Sequence, residues 1–303
     1  MTVRPSSTGW CARSLAQWGL ELLGAPMGSS MEAVKRGRAV GWLVTLGLVG
    51  AIYFLVAYLV LPSIWNQYEH QPGIAGRPMV TQTASGIPGD PLNIGLVGSQ
   101  DDVVKALNAA GWFPADPVTL RTSIEIVGSV LLDRPYVHAP VSPLLYDGRR
   151  EDLAYERESG ASARRRHHVR LWKVLDAGAE GRPVWLGSAT YDEGVGLSHY
   201  TGQVTHVIAP DVDGERDFFA KSLVEAGMAE GLYQVSGVGP TLFGRNGEGS
   251  RYQTDGDVRF VLLVKEGERR TAPPVTQDAP MTTQVKDAVW QALQSALPKR
   301  EAD

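Results

Sequence analysis

Hydrophobic residues form one long, uninterrupted run near the start of the chain, 39–62, with no charged residue inside it. As a helix these 24 residues extend about 36 Å, enough to cross a hydrocarbon core of roughly 30 Å with some tilt. Trp42 lies near one end, and Tyr58 and Trp65 lie near the other, which is typical of side chains at the headgroup level. The run is longer than the apolar part of a usual signal peptide, so the pattern predicts a single transmembrane helix.

Basic residues flank this run unevenly. The segment 35–38 reads Lys-Arg-Gly-Arg just before it, whereas the first lysine or arginine after it is Arg77. The positive-inside bias therefore predicts a cytoplasmic N-terminus and a large domain beyond a cell inner membrane, in the periplasm or outside the cell. The only cysteine, Cys11, falls on the cytoplasmic side, so the exported part needs no disulfide. Three methionines precede the basic segment and are alternative start sites: Met1, Met27 and Met31.

The pattern changes several times after the hydrophobic run. A stretch rich in Pro, Gly, Thr and Gln without periodicity predicts an extended linker. The residues after it alternate between apolar and polar in short strand-like runs, which are interspersed with runs at helical spacing. This pattern predicts one globular domain. In the polar tail, Val285, Val289, Trp290, Leu293 and Leu297 recur at helical spacing, which predicts a short amphipathic helix docked on the domain or on a partner. The predicted segments are the cytoplasmic 1–38, the transmembrane 39–62, the linker 63–91, the domain 92–265 and the tail 266–303.

The domain pattern predicts an α+β fold with a mainly antiparallel sheet and about three helices. One helix begins after Ser99, a good N-cap, and ends at Gly111. A second is predicted over 120–132, before a proline-rich loop at 135–149, and a third over 214–227. The strand-like runs are 93–98, 152–158, 167–174, 184–190, 204–209, 232–235 and 258–264.

Side chains that can carry chemistry occur first on the predicted strand 167–174. Because side chains alternate along a strand, His168, Arg170 and Trp172 share one face. A histidine beside an arginine suits an anionic ligand, since the guanidinium group can grip a phosphate or carboxylate with two hydrogen bonds. The alternative is a polar sheet face that is exposed to solvent.

A second group of candidates surrounds His206, which lies between two apolar residues on one strand face. It is either a core histidine or, with Asp211, Asp213 and Asp217, part of a divalent-metal site. However, Asp213 is the natural N-cap of the next helix, and the helix N-terminus favours further acids in its first turn. Capping explains these acids without a metal, so the sequence predicts neither a metal nor a cofactor.

Four segments, in this order, resemble the C-terminal domain of LssY, which is found at the end of bacterial membrane proteins linked to secretion loci. They are APVSPLLYDGRREDLAYE (139–156), RRHHVRLW (165–172), VWLGSATYDEGVGLS (184–198) and THVIAPDVDGERDF (205–218). The resemblance covers about residues 90–265 and implies an envelope domain without an established activity. Longer relatives carry a lipid-phosphatase-like module, but its Pro-Ser-Gly-His motif does not occur in this sequence.

Three functions remain open from the sequence. The first is a membrane-anchored module that binds an envelope ligand or a protein partner. The second is a hydrolase that acts on a phosphorylated or lipid substrate through His168, Arg170, His206 and Asp211. The third is a structural accessory subunit of a transporter or secretion complex, which acts on a membrane-protein partner through its single helix and its C-terminal amphipathic segment. The net charge of −4 and a pI near 5.9 give no basic surface for nucleic acid. Whether the protein is an enzyme is left open.

Overall fold

The computed structural model describes residues 27–65, 70–115, 144–159, 165–200, 202, 204–239 and 242–296. The chain forms two compact units, one up to Val60 and one from Leu61 onward. The predicted helix at 120–132 and the first part of the proline-rich loop, 135–143, lie outside the described residues.

The first unit is built around a long apolar helix. Helix α1 (Met27–Leu55) continues as a π-helical turn (Val56–Val60), and the short α2 (Leu61–Trp65) follows at the start of the second unit. The segment Val34–Ser63 contains an 18-residue stretch with a mean hydropathy of 2.4, and none of that stretch is buried. By length and composition it can serve as a membrane anchor or as a signal sequence.

The second unit alternates many short strands with a few helices. Its further helices are α3 (Gln100–Ala109), α4 (Val212–Glu225) and α5 (Met281–Ala296). Its strands are β1 (Val80–Gln82), β2 (Pro88–Pro91), β3 (Ile94–Val97), β4 (Phe113–Pro114), β5 (Leu145–Tyr146), β6 (Arg149–Arg150), β7 (Leu153–Glu158), β8 (Arg166–Leu175), β9 (Val184–Leu197), β10 (Val204–Ile208), β11 (Ala229–Ser236), β12 (Leu242–Arg245), β13 (Arg251–Thr254), β14 (Asp257–Leu263) and β15 (Val275–Thr276).

The main sheet has the strand order β15-β11-β14-β3-β9-β8-β7-β4, and β10 also pairs with β9. The pairs β3–β14 and β11–β15 are parallel, and the remaining neighbours are antiparallel. A small sheet, β2-β1-β5-β6, and the hairpin β12–β13 complete the described strands. The predicted α+β class with a mainly antiparallel sheet is therefore confirmed.

The main sheet has a hydrophobic cluster on each face. One cluster joins Val169 and Leu171 of β8 to Leu107 of α3 and Phe219 of α4. The other cluster contains Trp172, the next residue of β8, beside side chains of the small sheet such as Tyr146. Because successive side chains of a strand point to opposite faces, β8 separates a helix-covered face from a face near the small sheet.

The region predicted as a linker, 63–91, is partly folded. It contains β1 and β2, and the side chains of Gln71 and Ile74 are buried. Its Pro- and Gly-rich composition predicts extended chain correctly, but composition carries no information on the long-range pairing of β1 with β5. The folded unit therefore begins before the predicted boundary at residue 92.

The amphipathic helix of the tail is present as α5, but its orientation differs from the prediction. Trp290 is buried as predicted, whereas Val285, Val289 and Leu293 are 49%, 42% and 47% exposed. The helix docks through another side chain, Lys286, which is 1% exposed and reaches buried carboxylates. Ion pairing therefore sets which face of α5 turns inward, and docking of the exposed stripe on a partner remains a prediction.

Candidate functional site

Alternate residues of β8 form a buried polar row on the face opposite the helices. Arg166, His168 and Arg170 are 4%, 3% and 5% exposed. The register of the antiparallel pair places Arg166 opposite Asp192 of β9 and His168 opposite Thr190. Side chains directly opposite each other lie close enough to interact, so the row brings cations and a carboxylate together.

A partly open pocket of about 40 Å³ lies over this row. Its lining comes from strands β2, β8, β9 and β10 and from the 246–248 turn. Its polar and charged lining residues are Thr83, Asp90, Arg166, His168, Arg170, Asp192, His206, Asn246 and Glu248.

Asp192 lies at the centre of the charged groups and is fully buried. Its Oδ2 accepts a hydrogen bond from Arg166 Nε at 3.1 Å. His168 Nδ1 lies 3.3 Å from Oδ1, and His206 Nδ1 lies 3.4 Å from Oδ2. Burial alone would raise the pKa of Asp192, but its electrostatic interactions with His168, His206 and Arg166 hold it well below its usual range. The carboxylate is therefore ionised at neutral pH.

Arg166 determines which nitrogen of His206 carries the proton. Its Nη1 donates to Glu156 Oε2 at 2.7 Å, and its Nη2 donates to His206 Nε2 at 3.1 Å. A guanidinium group only donates, so His206 Nε2 accepts and the neutral ring carries its hydrogen on Nδ1. Burial, followed by the charge of Arg166, lowers the pKa of His206 to about 4, although Asp192 opposes the shift. His206 is therefore neutral at pH 7.

His168 is held between a hydroxyl group and Asp192. Its Nε2 and Thr190 Oγ1 are 2.5 Å apart and share a hydrogen bond. Among the described residues, His168 Nδ1, Asp192 Oδ1 and His206 Nδ1 are buried atoms without a hydrogen-bond partner, since their mutual contacts are not aligned as hydrogen bonds. Most buried polar atoms in proteins have a hydrogen-bond partner, so an unpaired carboxylate oxygen with two unpaired histidine nitrogens beside it marks this pocket as the candidate site.

Arg170 does not act as an open anion clamp. Its Nη1 donates to Asp90 Oδ2 at 3.1 Å, and Asp90 Oδ1 accepts from Asn246 Nδ2 at 3.0 Å. The pocket lining thus opposes two guanidinium groups with the carboxylates of Asp90, Asp192 and Glu248. The expectation of an anionic ligand at His168 and Arg170 is not favoured by this charge balance.

Three of the four candidates from the sequence, His168, Arg170 and His206, line this pocket. The fourth, Asp211, does not. It is the N-cap of α4, and its Oδ1 accepts from the Gly214 amide at 3.0 Å. The prediction that Asp213 caps this helix is wrong, because the helix begins two residues earlier, at Val212, and Asp213 turns inward to Arg216.

Arg166 and Asp192, at the centre of the charged groups, are among the pocket residues that the sequence analysis missed. Arg166 had a usable signal, because it lies two residues before His168 and therefore shares its strand face. For Asp192 the sequence carried no such signal, because its position opposite Arg166 depends on the register between β8 and β9.

A second cluster of buried charges lies where α4, β14 and α5 meet. Arg216 makes a two-pronged contact with Asp255, and Lys286 Nζ contacts Asp257 Oδ1. The carboxylates of Asp255, Asp257 and Asp287 lie within 4.8 Å of one another, a spacing that suits a metal ion. However, Lys286 Nζ lies among them and already supplies the positive charge. This cluster therefore docks α5 and is not the candidate site.

The fold and site define a class of protein: an α+β domain with a buried charged pocket, preceded by a long apolar helix. The family model described as LssY C-terminus matches residues 70–258. The chain belongs to this family, as the resemblance implied, and the match includes β1 and β2. No curated protein and no solved structure matches the chain.

Proposed function

We propose that the protein is a membrane-anchored envelope protein whose second unit binds a small polar ligand in the pocket around Asp192. One observation carries the binding proposal: three buried polar atoms of the pocket, on His168, Asp192 and His206, lack hydrogen-bond partners among the described residues. Leaving such atoms unpaired costs about 1–3 kcal/mol each. A polar ligand that pairs with them recovers this free energy on binding.

The anchoring proposal is supported by the long apolar helix and by the basic segment before it. We expect the N-terminus in the cytoplasm and the second unit outside the inner membrane. An impermeant maleimide tests this arrangement in cells whose outer membrane has been opened. A Cys11→Ser, Arg150→Cys variant is labelled directly, because Arg150 is exposed, whereas Cys11 of the wild type is labelled only after permeabilisation. Labelling in the reverse order, or a mature protein that lacks the helix, contradicts the proposal.

Thermal unfolding of the full chain in one detergent tests the binding proposal. The probes are divalent metals, phosphorylated metabolites and glycan fragments. A ligand at 100 times its Kd stabilises by about 2.7 kcal/mol, which raises the unfolding temperature by roughly 5–10 °C. The shift is lost in His168→Gln and kept in His199→Gln, because His199 is exposed. A shift that survives His168→Gln places the ligand elsewhere.

A hydrolase is the second candidate, and the convergence of His168, His206 and Asp192 in one pocket favours it. A neutral histidine beside an ionised carboxylate can take a proton from water. His206 Nε2, however, already accepts from Arg166, so this nitrogen is not available as a base in the observed arrangement.

The hydrolase candidate is tested with the full chain and chromogenic phosphate monoesters, phosphate diesters and carboxylic esters. The hypothesis requires turnover that falls at least about a hundredfold in Asp192→Asn, within the usual range for losing general-base catalysis. Equal rates for the wild type and Asp192→Asn assign the turnover to a contaminant and leave the binding function in place.

A further inference from the structure

We propose that the pocket around Asp192 receives a hydroxyl group of an uncharged, hydroxyl-bearing ligand, such as a sugar or another polyol. The inference rests on the proposed binding function and specifies its ligand chemistry. The atoms that define it are His168 Nδ1, Asp192 Oδ1 and His206 Nδ1, which are buried, have no hydrogen-bond partner among the described residues and belong to three residues that line one pocket.

The hydrogen-bonding roles of two of these atoms are fixed by their neighbours. Asp192 is ionised beside Arg166, so Oδ1 only accepts. His206 accepts from Arg166 at Nε2, so Nδ1 carries the hydrogen and only donates. A group that pairs with both must accept from His206 and donate to Asp192. A hydroxyl group does both at once.

Charged groups are poorly matched to the same place. A fully ionised phosphate or carboxylate would face Asp192, with Asp90 and Glu248 also lining the pocket. The guanidinium groups that would offset it already bond to carboxylates, Arg166 to Asp192 and Arg170 to Asp90. An ammonium group would meet Asp192, but it would also face the Nδ1 hydrogen of His206 and both guanidinium groups. Each case places like charges or two donors together at a buried position, which costs free energy.

The size of the pocket limits how much of the ligand enters. Its volume is about 40 Å³, whereas roughly 10–15 Å³ of such volume is needed to hold one water molecule. The pocket therefore has room for about three groups of that size, such as a hydroxyl group and the carbon atoms next to it. The rest of the ligand therefore lies outside, next to His206, whose side chain is 24% exposed.

Histidine-selective NMR of the full chain in nanodiscs tests the proposal. The protein carries 15N-histidine, and the signals are assigned with His168→Gln and His206→Gln. Ethylene glycol, inorganic phosphate and ethylammonium are the probes, at equal concentrations. We expect ethylene glycol alone to shift the His168 and His206 signals saturably, while the exposed His199 signal stays unchanged. Asp192→Asn weakens the ethylene glycol response at least about tenfold, because a hydrogen bond to a charged group is lost.

The comparison among probes in the wild type does not depend on the folding of any variant. A saturable response to phosphate or to ethylammonium overturns the hydroxyl assignment but leaves the ligand-binding function standing. The absence of any response overturns the assignment as well. In that case the thermal panel decides separately whether a different ligand binds elsewhere.

Discussion

Lys286 is the residue whose removal the structure predicts to be most damaging to α5. Its side chain is 1% exposed, and its ammonium group contacts Asp257 Oδ1 and donates to the Asp255 carbonyl oxygen at 3.1 Å. Asp257 is 0% exposed and otherwise accepts from Ser236 Oγ at 2.8 Å and from the Gln234 amide. Lys286→Met keeps most of the side-chain volume but leaves this carboxylate without its cation.

The expected cost follows from burial on both sides of the pair. Breaking a buried ion pair by removing one partner costs about 3–5 kcal/mol, because a charge remains in the interior. For a unit of this size, 1 kcal/mol shifts the unfolding temperature by roughly 2–4 °C. Lys286→Met should therefore lower the unfolding temperature by about 6–20 °C.

Thermal and urea unfolding of the full chain, in one detergent at pH 8, where Asp257 is mostly ionised in the wild type, measure the effect. The matched control is Lys221→Met, because Lys221 is 72% exposed and pairs with Glu225 at 3.7 Å on the surface. The control should lose less than about 0.5 kcal/mol. The double variant Lys286→Met, Asp257→Asn should recover part of the loss, since the unpaired charge is removed. A Lys286→Met protein as stable as the control refutes the reasoning.

The loss of stability in Lys286→Met should depend on pH. Burial, followed by the negative charge of Asp255, raises the pKa of Asp257 to about 7, and Lys286 opposes this shift. The folded state therefore binds more protons than the unfolded state between about pH 4 and pH 7, and this contribution to stability is lost as the pH rises through that window. Because Lys286→Met removes the charge that opposes this shift, the variant should lose more free energy of unfolding, relative to the wild type, at pH 8 than at pH 5. An equal loss at both pH values contradicts the pairing of Lys286 with an ionised Asp257.

Three further predictions test other parts of the structure by urea unfolding. Gly95→Ala should cost about 1–3 kcal/mol, because the added Cβ overlaps the Phe260 ring, whereas Gly194→Ala, with open space around it, should cost less than about 0.5 kcal/mol. Ser99→Ala should cost about 0.5–2 kcal/mol, since its Oγ caps α3, and a smaller loss in Ser99→Asp than in Ser99→Ala would support the capping role. Burial lowers the pKa of His206 to about 4, below its usual 6.5. The folded state therefore binds fewer protons than the unfolded state between these values, so the free energy of unfolding should fall by up to about 3 kcal/mol as the pH falls from 6.5 to 4. His206→Gln should remove that part of the pH dependence, and an unchanged slope would contradict it.

Much of the fold follows from local pattern. Ser99, the acids after it and Gly111 predict α3 because capping and left-handed backbone are local properties, and the structure has a helix over Gln100–Ala109. Alternation along β8 correctly places His168, Arg170 and Trp172 on one face. These features need no knowledge of which strands pair.

The parts that could not be predicted depend on contacts between distant residues. Asp192 and Arg166 meet only because β8 and β9 pair in one register, and β1 pairs with the distant strand β5 as well as with its neighbour β2. Asp211 caps α4 in place of Asp213, because a buried arginine draws Asp213 inward. Lysine is also among the residues least often buried, so its type gives no hint that Lys286 fixes the orientation of α5.

The central claim is that the pocket around Asp192 binds a ligand, and the difference in ligand-induced stabilisation between the wild type and His168→Gln tests it most directly. The measurement is the unfolding temperature of the full chain with each probe of the panel. The account predicts a rise of roughly 5–10 °C for at least one polar probe near saturation in the wild type, and no rise in His168→Gln although that variant folds. No rise with any probe, or an equal rise in both proteins, would contradict the claim.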